Sequence, residues 1–355
     1  MNSLFFYPWS GFQTNFLNKD VGFFPSYYTH QGKVTMLVKG KGKPFVFRNI
    51  SAEFYSNLYI FGLMYFLYKI VRGDYKSLIL FHIGLKNLLP VIIFNSLNKD
   101  GKIICKADLN IETAFFITKS SHSFFNSVKI SLYKLMLGKI DVLLVETSNV
   151  YEVLNDNKSK LGINRLELMP NGLDDLEFDN LNIAEEKEKV ITIITRFETE
   201  KKAPERLFDV INNVTVPDGW RLNLIGQIPD NINELIDVNC RKSNLTINSI
   251  GYLDRNELLH HMSQSAIFVC YSREESFCIS LIEAAAFNNM IVSTNVGVAK
   301  DLSKEYSRIQ IFDNYDAESF SKKISEVALN FEGDMTDESV IKKYSWRNII
   351  SRVDF

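Results

Sequence analysis

Four side chains in the second half of the chain have the types and spacing to hold an anion that also carries hydroxyls. Arg196 stands near the end of the apolar run VITIITRF and Lys201 five positions further on. A planar guanidinium and a point-charge ammonium together can clamp a diphosphate. Glu275 and Glu283 bracket a loop-to-helix junction with seven residues between them, and carboxylates accept hydrogen bonds from hydroxyls. That junction lies within Tyr271–Gly297. The apolar run AIFVCY ends in the polar turn SREES, and the helix-period segment CISLIEAAAF and a second apolar run, MIVST, follow. Open parallel sheets bind ligands beyond the carboxyl ends of their strands, and the helix N-terminal amides near Phe277 and Cys278 add donors for a phosphate. Gly226, closing RLNLIG, allows close backbone approach to a base or ribose, and Tyr252 joins that region. A ligand with both phosphate and sugar suits the set.

The elements that must position these residues alternate. Apolar runs of strand length (Ser3–Pro8, Lys33–Val38, Ser77–His82, Gly101–Asn110, Asp141–Ser148) alternate with helical patterns through the first half. The second half restarts at Val190–Phe197 and continues with Arg221–Gly226, Leu245–Gly251, Ala266–Tyr271 and MIVST. Two successive β/α halves predict parallel sheets with helices on both faces. No GxGxxG is present, so a dinucleotide site is not indicated. The acidic stretch 176–189 reads as the linker, and KGKGK (Lys39–Lys43) as an anion loop or a solvated turn. Phe54–Tyr68 is an uncharged fifteen-residue run, short of the roughly 20 residues a spanning helix needs. It predicts a helix that is buried or rests on a membrane. Phe124–Lys139 has apolar residues at helical spacing with Lys129, Lys134 and Lys139 between them, the pattern of a core-packed or membrane-surface helix.

With 355 residues, 46% hydrophobic and 23% charged, the chain has the composition of an ordered globular protein with room for two domains. Its net charge of −2 hides an asymmetry: residues 1–165 hold 20 Lys and Arg against 10 Asp and Glu, and residues 166–355 hold 20 against 32. A basic first half favours an anionic membrane or acceptor. The four cysteines form no CxxC pair, which predicts reduced thiols in a cytoplasmic protein. No DxD is present, and His122, His260 and His261 show no ligand spacing, so no metal is expected. No secretory signal is read at the N-terminus.

These motifs together resemble family 4 retaining glycosyltransferases of the group 1 type. The family's ExFGxxxxEA signature is matched by Glu275, Phe277, Glu283 and Ala284, its Arg and Lys by Arg196 and Lys201, and its PNGVD turn by Pro170, Asn171, Gly172 and Asp174. The YSW segment that begins the closing helix is matched by Tyr344, Ser345 and Trp346. The departures are Ser276 and Cys278, which stand where glycines are usual, and NNMIV in place of GxPVV. The match is good over 166–355 and only topological before it.

The resemblance implies an α/β GT-B fold, two Rossmann-like doubly wound domains facing a central cleft. It implies an acceptor domain over 1–170, a nucleotide-sugar domain over 171–340, and a helix over 341–355 crossing back to the first. Glu275, Phe277, Cys278 and Glu283 would hold donor sugar and ribose, Arg196 and Lys201 the diphosphate, and Gly226 and Tyr252 the base. The family's reaction-centre histidine falls where this chain reads Lys106-Ala-Asp108, so Asp108 or His82 would take its place. The implied activity is metal-independent sugar transfer, with retention, from a UDP- or GDP-linked donor to a glycan or lipid-linked acceptor in surface-polysaccharide or lipopolysaccharide synthesis. No cofactor and no nucleic acid is expected. The implied location is cytoplasmic, peripheral on the inner face of the cell membrane. The alternatives are a nucleotide-sugar epimerase on the same fold and a non-catalytic binding partner in an assembly.

Overall fold

The computed structural model describes every residue except 1, 29–31, 120–122, 180–185, 241–244, 332–338 and 354. It falls into two compact units, Met1–Asp174 with Trp346–Phe355, and Asp175–Ser345.

Unit 1 begins with β1 (Ser3–Tyr7), α1 (Asp20–Tyr28), β2 (Val34–Lys39), β3 (Phe45–Phe47), β4 (Ile50–Tyr55) and α2 (Tyr59–Arg72). It continues through β5 (Ser77–Phe81), α3 (Leu88–Leu97), β6 (Lys102–Ala107), α4 (Ile111–Thr118) and α5 (Phe124–Leu137). β7 (Val142–Val145), α6 (Ser148–Asp156), α7 (Lys158–Leu161) and β8 (Leu166–Leu168) complete its first segment. The sheet order is β3-β4-β2-β1-β5-β6-β7-β8. Every pairing is parallel except β3 with β4. Apolar side chains on both faces of β1 explain its continuous run: Leu4 and Phe6 join one core layer, Phe5 and Tyr7 the other.

Unit 2 contains α8 (Asp175–Asp179), β9 (Glu188–Ile194), α9 (Arg206–Asn213), β10 (Arg221–Ile225), α10 (Asp230–Cys240), β11 (Thr246–Gly251) and α11 (Arg255–Gln264). β12 (Ser265–Cys270), α12 (Ile279–Ala286), β13 (Met290–Thr294), α13 (Ala299–Leu302), β14 (Ile309–Phe312), α14 (Ala317–Leu329) and α15 (Ser339–Tyr344) follow. All its strand pairings are parallel, in the order β11-β10-β9-β12-β13-β14. This is the doubly wound order, with its reversal between β9 and β12.

Three readings of the sequence are corrected, and KGKGK takes the solvated-turn form of its two alternatives. The run Phe54–Tyr68 is not one helix: Phe54 and Tyr55 end β4, which pairs with β2 and β3, and the helix starts at Tyr59. Ladder hydrogen bonds outweigh the uniform apolarity that hides this boundary. KGKGK becomes the end of β2 and its turn, with Lys39 Nζ donating to Ser10 Oγ at 3.1 Å. The acidic stretch is partly ordered, since α8 covers Asp175–Asp179 and β9 begins at Glu188; residues 180–185 lie outside the described ones. The closing helix is two helices, because the Trp346 N–H bonds the Leu173 carbonyl at 3.1 Å and starts α16 (Trp346–Arg352) afresh. Trp346, fully buried, and Ile349 then pack into the core of unit 1 beside α1. Each such large side chain contributes roughly 1.5–3 kcal/mol on burial.

The division between units falls at Asp174/Asp175 and Ser345/Trp346 rather than at 170/171 and 340/341. Asp174 accepts from Tyr27 Oη (2.8 Å) and Arg48 Nη2 (2.7 Å) within unit 1, whereas Asp175 accepts from Ser345 within unit 2.

Gly226 ends β10 at φ +135°, and a Cβ there would lie 1.9 Å from the Thr195 carbonyl oxygen. Gly219, at φ +88°, faces open space. Gly219→Ala should therefore cost about 1–2 kcal/mol, the backbone strain alone. Gly226→Ala should cost a further 1–3 kcal/mol or so for the collision. Urea unfolding midpoints of the two variants would measure the difference.

Candidate active site

The reversal of strand order in unit 2 places the loops after β9 and β12 side by side. The chain leaves β9 toward β10 and leaves β12 toward β13, so no crossover covers the gap between them. Backbone bonds join the two loops: the Arg273 and Glu274 N–H groups donate to the Lys201 carbonyl at 2.8 and 3.2 Å. Arg206 Nη1 donates to the Tyr271 carbonyl at 2.8 Å. Arg273 reaches the Glu200 carbonyl at 3.1 Å and pairs with Glu205 at 2.6 Å.

Residues predicted from distant parts of the sequence thus meet here. Lys201 and Glu275 share one loop pair, but the Lys201 ammonium turns to Glu274. Its neighbour Lys202 holds Glu275, with Nζ 2.5 Å from Oε1, and Ser272 Oγ donates to the same oxygen at 2.8 Å. Lys202 was not singled out from the sequence; the Lys-Lys doublet gave no indication of which ammonium would face the carboxylate. Arg196 is exposed at the mouth of the loop and makes no ion pair among the described residues.

Of the two non-glycine departures, Cys278 carries the strain. It caps α12 at φ +68° and ψ +71°, a left-handed conformation that costs a non-glycine residue roughly 1–2 kcal/mol. Ser276 is not among the positive-φ residues. Phe277 is buried, and its carbonyl accepts from the Val298 N–H at 2.8 Å. Gly297 permits that approach, since a Cβ there would lie 2.2 Å from the Phe277 oxygen. The Cys278 and Cys270 sulfurs are 3.9 Å apart. Their mutual hydrogen bond draws the Cys270 thiol down and, with burial, pushes Cys278 up.

Glu283 is held inside the protein. It is 3% exposed, and Arg255 Nη1 reaches its Oε1 at 2.6 Å. Arg255 also grips Glu177 of α8 through two bonds of 2.9 and 2.8 Å. Burial opposes the Arg255 charge, but Glu283 and Glu177 outweigh it and hold the guanidinium protonated. Gly226 faces the Thr195 backbone, so its missing side chain is used in packing two strand ends. Tyr252 follows β11, the outermost strand, and is 75% exposed. The sheet order keeps it two strands from the β9–β12 gap.

Unit 1 has a second charged cluster at the carboxyl ends of its strands. His82 follows β5 and Asp108 follows β6, and His82 Nδ1 lies 3.4 Å from Asp108 Oδ2. The two residues between which the sequence left a choice are therefore adjacent. His82 sits at φ +62°, with the Trp9 ring edge-on at 5.7 Å and Lys86 over that ring at 4.9 Å. Beneath them Lys106 Nζ, fully buried, donates to Glu146 Oε1 at 2.7 Å and to the Met169 carbonyl at 3.2 Å. Burial pushes the Glu146 carboxyl up, while the Lys106 ammonium beside it pulls it down and Asp108 and Asp20 push it up. Burial also raises Asp20, with Asp108 adding to the shift. The Lys106–Glu146 pair has no sequence signal, because each partner ends a different apolar run 40 residues apart.

Residues 175–337 match the family model for glycosyl transferases group 1. This part of the chain is similar to a group 1 glycosyltransferase domain. Its β9–β12 gap and the residues around it lie within the matched span. No curated protein sequence matches the chain. Among solved structures, sucrose-phosphate synthase from Thermosynechococcus elongatus is similar at TM-score 0.68 and 14% identity, covering 99% of this chain and 96% of that one. The lipopolysaccharide outer core galactosyltransferase WaaB is similar at TM-score 0.65 and 12% identity, with 99% and 97% covered. The Anabaena protein Alr3699/HepE, in complex with UDP and glucose, is similar at TM-score 0.63 and 14% identity, with 99% and 94% covered. The fold is GT-B, two parallel-sheet Rossmann-like domains.

Removing one partner of a buried ion pair leaves the other uncompensated. Lys106→Met should destabilise the chain by about 3–5 kcal/mol, and Lys106→Met with Glu146→Leu by distinctly less. Urea denaturation of the single and double variants would test this coupling.

Proposed function

We propose that this protein is a retaining glycosyltransferase that moves a sugar from a nucleotide-sugar donor to a glycan or lipid-linked acceptor in cell-surface polysaccharide or lipopolysaccharide synthesis. The observation that carries the reading is the meeting of Lys201, Lys202 and Glu275 at the strand-order reversal of unit 2. The Anabaena neighbour's complex with UDP and glucose makes a UDP-linked hexose the first donor to try; a GDP-linked sugar is the second.

In this reading Arg196 and Lys201 meet the charge that develops on the departing nucleoside diphosphate, as preorganised cations near a leaving group do. No metal is assigned to that step. Glu275 accepts from hydroxyls of the transferred sugar, held in place by Lys202 and Ser272. Phe277 and Cys278 shape the turn beside it, Glu283 serves the ribose, and Gly226 and Tyr252 belong to the base region. In unit 1, His82 and Asp108 are assigned to the acceptor hydroxyl. Retention follows if the acceptor attacks on the face the diphosphate leaves, the phosphate taking its proton.

Mixing donor and acceptor should release nucleoside diphosphate. Glu275→Ala or Lys201→Ala should lower that release by about 10²–10³-fold, the usual loss when one charge-stabilising group is removed. A coupled assay for free UDP measures it. Conversion of the donor to an epimer without acceptor would replace this reading with the epimerase one.

Two features of unit 1 support an acceptor carried on an anionic membrane. Ile60, Phe61, Met64, Leu67, Tyr68 and Val71 form an exposed apolar face of α2, while Gly62, Leu63, Phe66 and Ile70 fill its buried face. A helix apolar on both sides calls for cover on both. Phe124 and Phe125, 76% and 82% exposed, open α5, which bears Lys129 and Lys134, and basic side chains add attraction to anionic lipid. No helix among the described residues is long and apolar enough to cross a membrane, so attachment would be peripheral. Met64→Asp with Val71→Asp should cut co-flotation with anionic phospholipid vesicles at least about tenfold, since burying one such side chain contributes roughly 1.5–3 kcal/mol. Unchanged flotation would remove α2 from the proposal.

A further inference from the structure

We propose that Cys270, Glu275 and Cys278 form a binding site for a thiophilic divalent cation of the zinc class. One ligand atom from each residue lies within 4.8 Å of the other two. The two sulfurs, 3.9 Å apart, already have the separation that two thiolates keep across a tetrahedral ion: a metal–sulfur distance of about 2.3 Å sets that edge at about 3.8 Å. The third ligand has about an ångström to close, which a carboxylate at the end of a Glu side chain can cover by rotation.

The site is local and braced. Cys270 ends β12, Cys278 caps α12, and Glu275 lies in the loop between them, so all three ligands come from nine consecutive residues. Cys270 is buried, whereas Cys278 is partly exposed and gives the ion a route in. Ser272 Oγ, 3.8 Å from the Cys270 sulfur and hydrogen-bonded to Glu275, stands ready as a further oxygen or as the support of a bound water. The charges balance. A dication, two thiolates, the Glu275 carboxylate and the Lys202 ammonium already on it sum to zero, so the loop takes the ion without leaving a buried net charge. Binding releases two thiol protons and involves no oxidation. Two thiolates select zinc-class ions over magnesium or calcium, which prefer oxygen.

This site also accounts for a side chain that the backbone disfavours. Cys278 holds a left-handed φ of +68°, and Gly at that position would be unstrained; a sulfur ligand is a reason to keep the strain. Glu275 is also the carboxylate assigned above to the donor sugar. On that reading, which this consequence alone requires, ion and donor compete and zinc inhibits transfer.

The test is a cobalt titration of the full-length reduced chain under anaerobic conditions. One equivalent of Co²⁺ should give a thiolate-to-cobalt absorption band with tetrahedral visible bands, and Zn²⁺ should abolish them. Cys278→Gly removes a ligand while relieving the backbone, so it should lose the bands with a thermal midpoint no lower than that of the unaltered chain. Cys105→Ser, with its sulfur buried elsewhere in unit 1, should keep them. Absence of bands in the unaltered chain, or equal bands in Cys278→Gly, overturns the metal site. Zinc binding without inhibition of a working transferase overturns only the competition with donor, and cobalt binding in a chain with no transferase activity leaves the metal site standing while removing the proposed function.

Discussion

The pairing of β9 with β12 is the constraint on which unit 2 depends. Both are fully interior strands, packed from Ile191 and Ile193 on one side and Ala266, Ile267 and Val269 on the other. The crossovers that follow them depart in opposite directions. A right-handed crossover cannot cover the gap it departs from, so backbone amides and charged loops collect at one edge of an otherwise apolar sheet. The loop carrying Lys201 and Lys202 reaches Glu275 through this one pairing. The Lys201 carbonyl, accepting two N–H groups from the β12 loop, converts the pairing into a fixed relation between the two loops.

Unit 1 repeats the arrangement with different chemistry. Its strand order also reverses, between β1 and β5, and His82, Asp108 and Glu146 each follow a strand directly. Here, however, an ammonium and a carboxylate are fully buried beneath the exposed pair. Desolvating such groups is costly and is tolerated only when they are paired and further hydrogen-bonded, as Lys106 is by Glu146 and the Met169 carbonyl. The positive φ of His82 is a second local expense at the same place. Strain and buried charge are thus concentrated at the strand ends of unit 1.

Much of the architecture was legible because both units obey one rule. Parallel strands covered on both faces read as unbroken apolar runs, and ten such runs were visible in order. What escaped were elements without that signature. β3 and β8 are three residues each, and β4 alternates buried and exposed positions before merging into the apolar start of α2. The sequence also marked Ser276 and Cys278 alike, whereas only the backbone distinguishes the strained residue from the relaxed one.

Residue type and spacing alone pointed to Arg196, Lys201, Glu275 and Glu283 as groups able to hold phosphate and sugar, and to parallel strands around them, which the sheet shows. These are properties of single segments, set by hydrophobic period and by the chemistry each side chain can perform. Tertiary structure decided what each of them touches. Lys202 rather than Lys201 lies on Glu275, Glu283 is held by Arg255, and Tyr252 stands two strands away. It also brought His82 to Asp108, and Cys270 to Cys278. Such pairings depend on strand order and on which rotamer a packed neighbour leaves open. Neither quantity is written in any one stretch of the chain.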